Sequence, residues 1–109
     1  MCSQVIILKN MVISEELQDD EEFADICDDV RDECAQHGPV MSVLIPRVKE
    51  NYPPQCEGSV FVEFQHPETA QKAALALSGR KFAERTVDVD YFDEIKFSNR
   101  ILVPKSKAP

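Results

Sequence analysis

The 109-residue sequence lacks several features that mark membrane, secreted and phosphate-binding proteins. No stretch approaches the ~20 apolar residues needed to cross a bilayer, and the N-terminus has no basic start followed by an apolar run. The three glycines are not clustered into a phosphate-binding loop. Neither His37 nor His66 lies near a plausible nucleophile in the sequence. We therefore expect neither a membrane protein nor an enzyme.

Metal-binding and disulfide patterns are also missing. None of the cysteines forms a C-x-x-C pair, and neither histidine is at helical metal-ligand spacing to them. This pattern favours reduced thiols in an intracellular protein, with no metal and no cofactor. The cysteines are Cys2, Cys27, Cys34 and Cys56.

Basic residues are scarce and unevenly placed. The formal net charge is -8. Residues 1–33 contain eleven acids against Lys9 and Arg31, a net charge of -9, whereas the rest of the chain is close to neutral at +1. Such a balance argues against a nonspecific nucleic-acid clamp, which needs clustered Lys and Arg. It indicates a polar partner of opposite sign.

The apolar periodicity predicts an α+β domain with the order β-α-β-β-α-β. We expect strands at 4–9, 40–46, 58–65 and 85–91, and helices at 14–37 and from Pro67 to 77, with a possible short helix within 92–98. This order gives a ferredoxin-like fold, a four-stranded antiparallel sheet with two helices on one face. We expect one domain over 1–98 and a flexible tail at 99–109.

The first and third strands resemble the RNA recognition motif. GSVFVEF at 58–64 and IILKNM at 6–11 follow its two strand motifs. The positions that stack on bases are depleted, since Ile7 and Ser59 replace aromatic residues and only Phe61 remains. Asp88 and Asp90 are expected on the open sheet face, where they would repel phosphate. Binding of single-stranded RNA through this face is the alternative function.

Two other features point to a peptide ligand. Asp25, Asp29 and Glu33 are spaced four residues apart and form one line along the first helix. Arg80-Lys81-Phe82 follows the second helix directly after Gly79. Either feature alone is typical of an ordinary surface, but the pair favours a binding site.

The pair also marks a known family. The chain resembles the U2 auxiliary factor homology motif family, and within it the C-terminal domains of U2 auxiliary factor large subunits. Members combine an acidic first helix, degenerate RNA-binding motifs and an Arg-x-Phe loop after the second helix. The resemblance covers residues 4–91 and is carried by NMV at 10–12, EEL at 15–17, DDEEF at 19–23, DVRDEC at 29–34, IPR at 45–47, FVEF at 61–64, QKA at 71–73 and GRKFA at 79–83.

The resemblance implies a protein-interaction module of a pre-mRNA splicing factor in the nucleus. Its ligand would be a basic, Trp-containing peptide of another splicing factor, the branchpoint-binding protein or a U2 particle subunit, during 3′ splice-site recognition. Phe82 would stack on the Trp, Arg80 would cover the other face of the indole and bridge to Glu33, and Asp25 and Asp29 would attract basic residues. RNA binding would belong to other domains of the parent protein, with little or none by this domain.

Overall fold

The computed structural model of the protein describes residues 3–12, 14–47, 58–82 and 85–99, with Ser14, Glu16 and Phe82 described in their backbone only. The predicted tail beyond Asn99, residues 48–57 with Cys56, and Cys2 lie outside these residues. In chain order the elements are β1 (Val5–Lys9), α1 (Ser14–Gln18), α2 (Asp20–Ala35), β2 (Val40–Leu44), β3 (Val60–Phe64), α3 (Pro67–Leu77), β4 (Lys81–Phe82), β5 (Arg85–Thr86), β6 (Asp88–Phe92) and α4 (Glu94–Ser98).

The main sheet confirms the predicted ferredoxin-like topology. Its four strands lie in the order β2-β3-β1-β6, and each pairs antiparallel with its neighbours. The central strand β1 connects through α1 and α2 to the edge strand β2, and the central strand β3 connects through α3 to the other edge strand, β6. These are the two β-α-β crossovers of the topology. The central strands contain β-branched and aromatic residues, which pack well on a pleated surface.

The predicted first helix at 14–37 is wrong in one respect, because the chain forms two helices there. Asp19 interrupts the helix with an extended backbone, φ -88° and ψ 119°. Its carboxylate accepts hydrogen bonds from the backbone N–H groups of Glu21 and Glu22. An N-cap of this kind satisfies donors that have no partner within the helix, so α2 begins anew at Asp20.

The larger core lies between α2, α3 and one face of the sheet. The apolar side of α2 faces it through Ile26, Val30 and Cys34, while Phe23 and Cys27 are only partly buried. The apolar side of α3 and one face of β3 complete the core with Ala70, Ala73, Ala74, Leu77, Val60, Val62 and Phe64. Pro67 is the first residue of α3, where its missing N–H leaves no hydrogen bond unmade.

A second apolar cluster lies on the opposite face of the sheet. It contains Val5, Ile7, Phe61, Phe92 and Phe97, the last of which comes from α4. The predicted short helix is therefore confirmed, and it adds a third layer. The expectation of an open sheet face is wrong, because α4 covers its centre.

The predicted strand at 85–91 is divided into two pieces. Only β6 joins the main sheet, whereas β5 pairs with β4 in a separate two-stranded sheet. Val87 separates the pieces and is buried; its N–H donates to Arg80 O at 2.8 Å, and its carbonyl accepts from Gly79 N at 2.9 Å. None of the described helices has the length and apolar character needed to cross a membrane.

Candidate functional site

A pocket opens on the helical side of the sheet, between the end of α2, the end of α3 and β4. The enclosed space is small, about 30 Å³, and it widens into open solvent at the mouth. The apolar side chains that line it are buried in the core, whereas the charged ones reach solvent at the mouth. The lining residues are Leu8, Met11, Leu77, Val87, Glu33, Arg80 and Lys81. An apolar floor with a few polar groups at its edge is typical of ligand sites.

An ion pair spans the mouth of the pocket. Arg80 Nη1 donates to Glu33 Oε2 at 3.0 Å, which links α2 to the segment after α3. The two side chains are 54% and 29% exposed. Because water screens a pair of this kind, its contribution to the free energy of folding is at most about 1 kcal/mol. Its effect is to fix where the guanidinium group lies.

The end of α3 explains the position of Arg80. Ser78 caps the helix in an extended conformation, and Gly79 follows with φ +81°, a left-handed backbone that favours glycine. Arg80 N then donates to Leu77 O at 3.1 Å. This tight turn brings the side chain of Arg80 back towards α2.

The acidic line on α2 leads away from the pocket. Glu33 lines the pocket, and Asp29 and Asp25 follow at intervals of four residues, about 6 Å each along the helix axis. Both aspartates are exposed, and within the described ranges neither forms an ion pair with a cation. The line is therefore available to a basic partner.

The opposite face of the sheet is closed at the positions that stack on bases in RNA-binding relatives of this fold. Ile7, Ser59 and Phe61 are all buried, and the ring of Phe61 is 0% exposed. The Phe61 centroid lies 6.1 Å from that of Phe97 and 4.9 Å from that of Phe92, the latter in an edge-to-face arrangement. Within the described residues, this packing leaves the ring of Phe61 with no exposed surface.

Polar contacts hold α4 over this face. Asp93 caps the helix by accepting from the N–H groups of Ile95 and Lys96. Glu94 Oε2 accepts from Gln4 N at 2.9 Å, and Ser3 Oγ donates to Phe92 O at 2.6 Å. The beginning of β1 thereby fastens the beginning of α4.

Comparisons with known proteins identify the family. The family model of the RNA recognition motif matches residues 27–88, more than half of the chain. The chain belongs to the RNA recognition motif family. The domain also resembles a solved structure titled "Structure of RNA15 RRM" with a TM-score of 0.60 and 23% identity, over 90% of this chain and 99% of that one. At that identity the likeness shows the fold alone.

The sequence relatives of this RNA recognition motif domain include splicing factors. It is 36% identical over 98 residues to a U2af large-subunit splicing factor of Nicotiana plumbaginifolia, in a match that covers 89% of this chain and 17% of that protein. It is 38% identical to a U2af large-subunit splicing factor of Oryza sativa subsp. japonica (88% and 17%), and 39% identical to the DNA-damage-repair/toleration protein 111 of Arabidopsis thaliana (94% and 25%). The chain thus spans a quarter or less of these relatives' length. Its expected resemblance to U2 auxiliary factor large subunits is confirmed.

The structure brings two of the five predicted site residues into direct contact, Glu33 and Arg80. Asp25 and Asp29 extend from them along α2 of the domain, and Phe82 lies in β4, paired with Arg85. The side chain of Phe82 is outside the described residues, so its role stays a prediction. Sequence reasoning missed the floor residues Leu8 and Met11, because burial in a pocket and burial in a core give the same apolar pattern.

The thiol of Cys34 is buried in the core next to Glu33 in the sequence. Burial raises the pKa of Cys34 from 9.0 to about 12, and the neighbouring carboxylate of Glu33 adds to the shift. A thiol of this kind stays protonated and is a poor nucleophile. The described part of the domain also holds no group of three or more His, Cys, Asp or Glu that could bind a metal ion.

Proposed function

We propose that this domain is a protein-interaction module that binds a short basic peptide carrying a Trp. The observation that carries the proposal is the pocket with an apolar floor and the Glu33–Arg80 pair at its mouth. The pocket offers apolar burial and a fixed guanidinium group at one place. Aromatic side chains use both, and Trp makes the strongest cation–π contact of them.

The lining of the pocket suits an indole ring, with apolar side chains on the floor and a guanidinium group at the mouth. Leu8, Met11 and Leu77 would bury the apolar rings. Arg80 would lie against the indole face, where a cation–π contact is worth roughly 0.5–2 kcal/mol. Trp residues in such pockets commonly dominate the free energy of binding.

The acidic line supplies selectivity for a basic peptide. Asp25, Asp29 and Glu33 are placed to attract Lys and Arg residues next to the Trp in sequence. Exposed carboxylates of this kind mainly raise the association rate and select the partner, and salt weakens them. Because a disordered peptide must become ordered on binding, we expect a dissociation constant on the order of micromolar.

The covered sheet face argues against the alternative, binding of single-stranded RNA. Base stacking on aromatic residues is worth ~1–3 kcal/mol per base. Ile7 and Ser59 provide no aromatic ring, and Phe61 is covered by Phe97. Asp88 and Asp90 are exposed on the neighbouring strand and would repel the phosphate backbone.

We propose that the parent protein is a splicing factor and that this domain acts in the nucleus during 3′ splice-site recognition. The names of its U2af relatives support this role. The peptide would belong to another splicing factor, the branchpoint-binding protein or a component of the U2 particle. The domain would have no catalytic activity and would contribute little or no RNA binding of its own.

A titration of the 15N-labelled domain tests the proposal. The probes are a Lys/Arg-rich peptide with one Trp, the same peptide with Trp replaced by Ala, and oligo-U. We expect one-to-one binding of the Trp peptide, with amide shifts at Glu33, Arg80 and Phe82, and no binding of the Ala peptide. Equal binding of both peptides would refute the pocket. Shifts at Ile7, Ser59 and Phe61 with oligo-U would establish the alternative.

A single substitution tests Phe82. In the folded Phe82→Ala variant the affinity for the Trp peptide should fall at least tenfold, since a stacking partner of the indole is lost. Lys72→Ala, an exposed substitution on α3 outside the pocket lining, is the control and should bind normally. Wild-type affinity in folded Phe82→Ala would remove Phe82 from the site.

A further inference from the structure

The turn after β1 has an unusual backbone beside the pocket. Asn10 has φ +65°, and it is the one described residue other than glycine with a positive φ. Asn tolerates this left-handed conformation better than most residues. The chain then turns directly into Met11, which lines the pocket close to the hairpin β4–β5.

Two hydrogen bonds join this turn to the hairpin. Asn10 Nδ2 donates to Thr86 O at 3.0 Å, and Arg85 Nη2 donates to Met11 O at 2.9 Å. The first bond is exposed and the second is partly buried. They run in opposite directions, one from the turn to β5 and one from β5 to the turn. The floor of the pocket at Met11 and its wall at β4–β5 are thereby tied to each other.

We infer that Asn10 and Arg85 are positioning residues for the pocket. They hold the β4–β5 hairpin against the turn after β1. The hairpin contains Lys81 and the turn contains Met11, and both residues line the pocket. This inference rests on the proposed function for its effect on ligand binding, but the ordering of the hairpin can be measured without any ligand.

The physical basis is preorganisation. The hairpin is short, with two residues in each strand, and a two-stranded ribbon of this kind has little stability of its own. The backbone bonds of Val87 hold the base of the hairpin. Without the bonds of Asn10 and Arg85, part of the ordering of the hairpin would have to accompany ligand binding, and affinity would fall by the free energy of that part. The guanidinium bond of Arg85 is charged and partly buried, so it should contribute more than the exposed amide of Asn10.

Substitutions separate the backbone from the side chain at Asn10. Asn10→Gly keeps the left-handed conformation available and removes the donor to Thr86, so affinity for the Trp peptide should fall roughly twofold to fivefold with little change in unfolding midpoint. Asn10→Ala also strains the backbone and should lower the midpoint of urea unfolding as well.

Substitutions at Arg85 test the stronger bond. Arg85→Met should lower affinity roughly tenfold, the ratio expected when a hydrogen bond from a charged group is lost. Arg85→Lys retains a charged donor and should recover part of that loss. Lys72→Met removes one positive charge from exposed α3 and serves as the matched control for charge alone.

Amide hydrogen exchange of the free protein measures how well the hairpin is ordered without any ligand. Val87 N–H, which donates to Arg80 O, and Gly79 N–H, which donates to Val87 O, should exchange faster in Asn10→Gly and Arg85→Met while amides of β1 and β3 stay protected. Unchanged exchange and affinity in both variants would overturn the inference. Faster exchange in the variants, combined with a wild-type domain that binds no Trp peptide, would refute the proposed function and support the positioning role.

Discussion

The two faces of the sheet share one backbone but differ in what covers them. On the face away from α2 and α3, Phe61 lies in a cluster closed by Phe97 of α4. On the helical face, a small pocket lies over the buried side chains of Leu8 and Met11, with charged side chains at its mouth. The face that serves nucleic acid in RNA-binding members of this family is therefore covered at Phe61, and the pocket lies on the helical side.

The difference shows how few residues distinguish the two faces of the sheet. One five-residue helix, capped by Asp93, closes the sheet face. One tight turn at Gly79 and one ion pair shape the pocket on the other side. Because fold and function are separable in this way, the site's own residues and not the family name decide the ligand.

The largest expected effect comes from removing the cover. Phe97→Ala deletes a fully buried aromatic ring and should lower the free energy of unfolding by about 3 kcal/mol, measured by urea denaturation. Affinity for the Trp peptide should stay within about twofold of wild type, because the pocket lies on the other face.

The same variant tests why the sheet face would not bind RNA. We expect Phe97→Ala to bind oligo-U no better than wild type, since Ile7 and Ser59 still offer no stacking ring and Asp88 and Asp90 remain. Ile95→Ala, at an exposed position of the same helix, is the control for stability. Appearance of oligo-U binding in Phe97→Ala would mean that α4 alone separates the two faces in function.

The next effect in size concerns the mouth of the pocket. Arg80→Ala removes both the ion pair to Glu33 and the guanidinium group, and it should weaken Trp-peptide binding about tenfold by isothermal calorimetry. Stability should change by less than ~1 kcal/mol because the pair is exposed. A fall in stability larger than the fall in binding free energy would make Arg80 a structural residue.

A smaller effect is expected along the acidic line. The double variant Asp25→Asn, Asp29→Asn should lose about threefold in affinity at low ionic strength and almost nothing at high ionic strength. Stopped-flow measurements at several salt concentrations give the dependence of the association rate on ionic strength. The control is the double variant Asp88→Asn, Asp90→Asn, which makes the same change of net charge on the sheet side. An equal loss of peptide affinity in the control would show that the net charge of the domain, and not the position of Asp25 and Asp29, determines the effect.

The smallest effect is the pH dependence of stability that comes from Cys34, because it appears only in alkaline solution. Its pKa is about 12 in the folded protein and 9.0 ordinarily, so its contribution to stability is fully present below about pH 9 and is lost as pH rises towards 12. Urea unfolding should therefore show a decline above pH ~9 that is reduced in Cys34→Ala. An identical decline in both proteins would place the thiol in contact with solvent.

Local patterns predicted most of the fold. The alternation of Val60, Val62 and Phe64 and the helical stripe ending at Leu77 assign each element and its buried face, and both agree with the structure. Asp19 as a helix cap was missed because a carboxylate within an acidic run looks like any other exposed residue. The division at Val87 was missed because strict alternation continues through it, while the hydrogen bond to Arg80 that bends the chain is a tertiary contact.

The candidate site was predictable only in part. Spacing placed Asp25, Asp29 and Glu33 on one line, since helical geometry is local. The contact of Glu33 with Arg80 joins residues 47 positions apart and depends on how α2 and the end of α3 pack on the sheet. The sequence by itself determined the β-α-β-β-α-β order and the acidic helix, because periodicity and charge are properties of short segments. Only the tertiary structure decided that α4 covers Phe61 and that Leu8 and Met11 face a pocket, because burial depends on which distant segments meet.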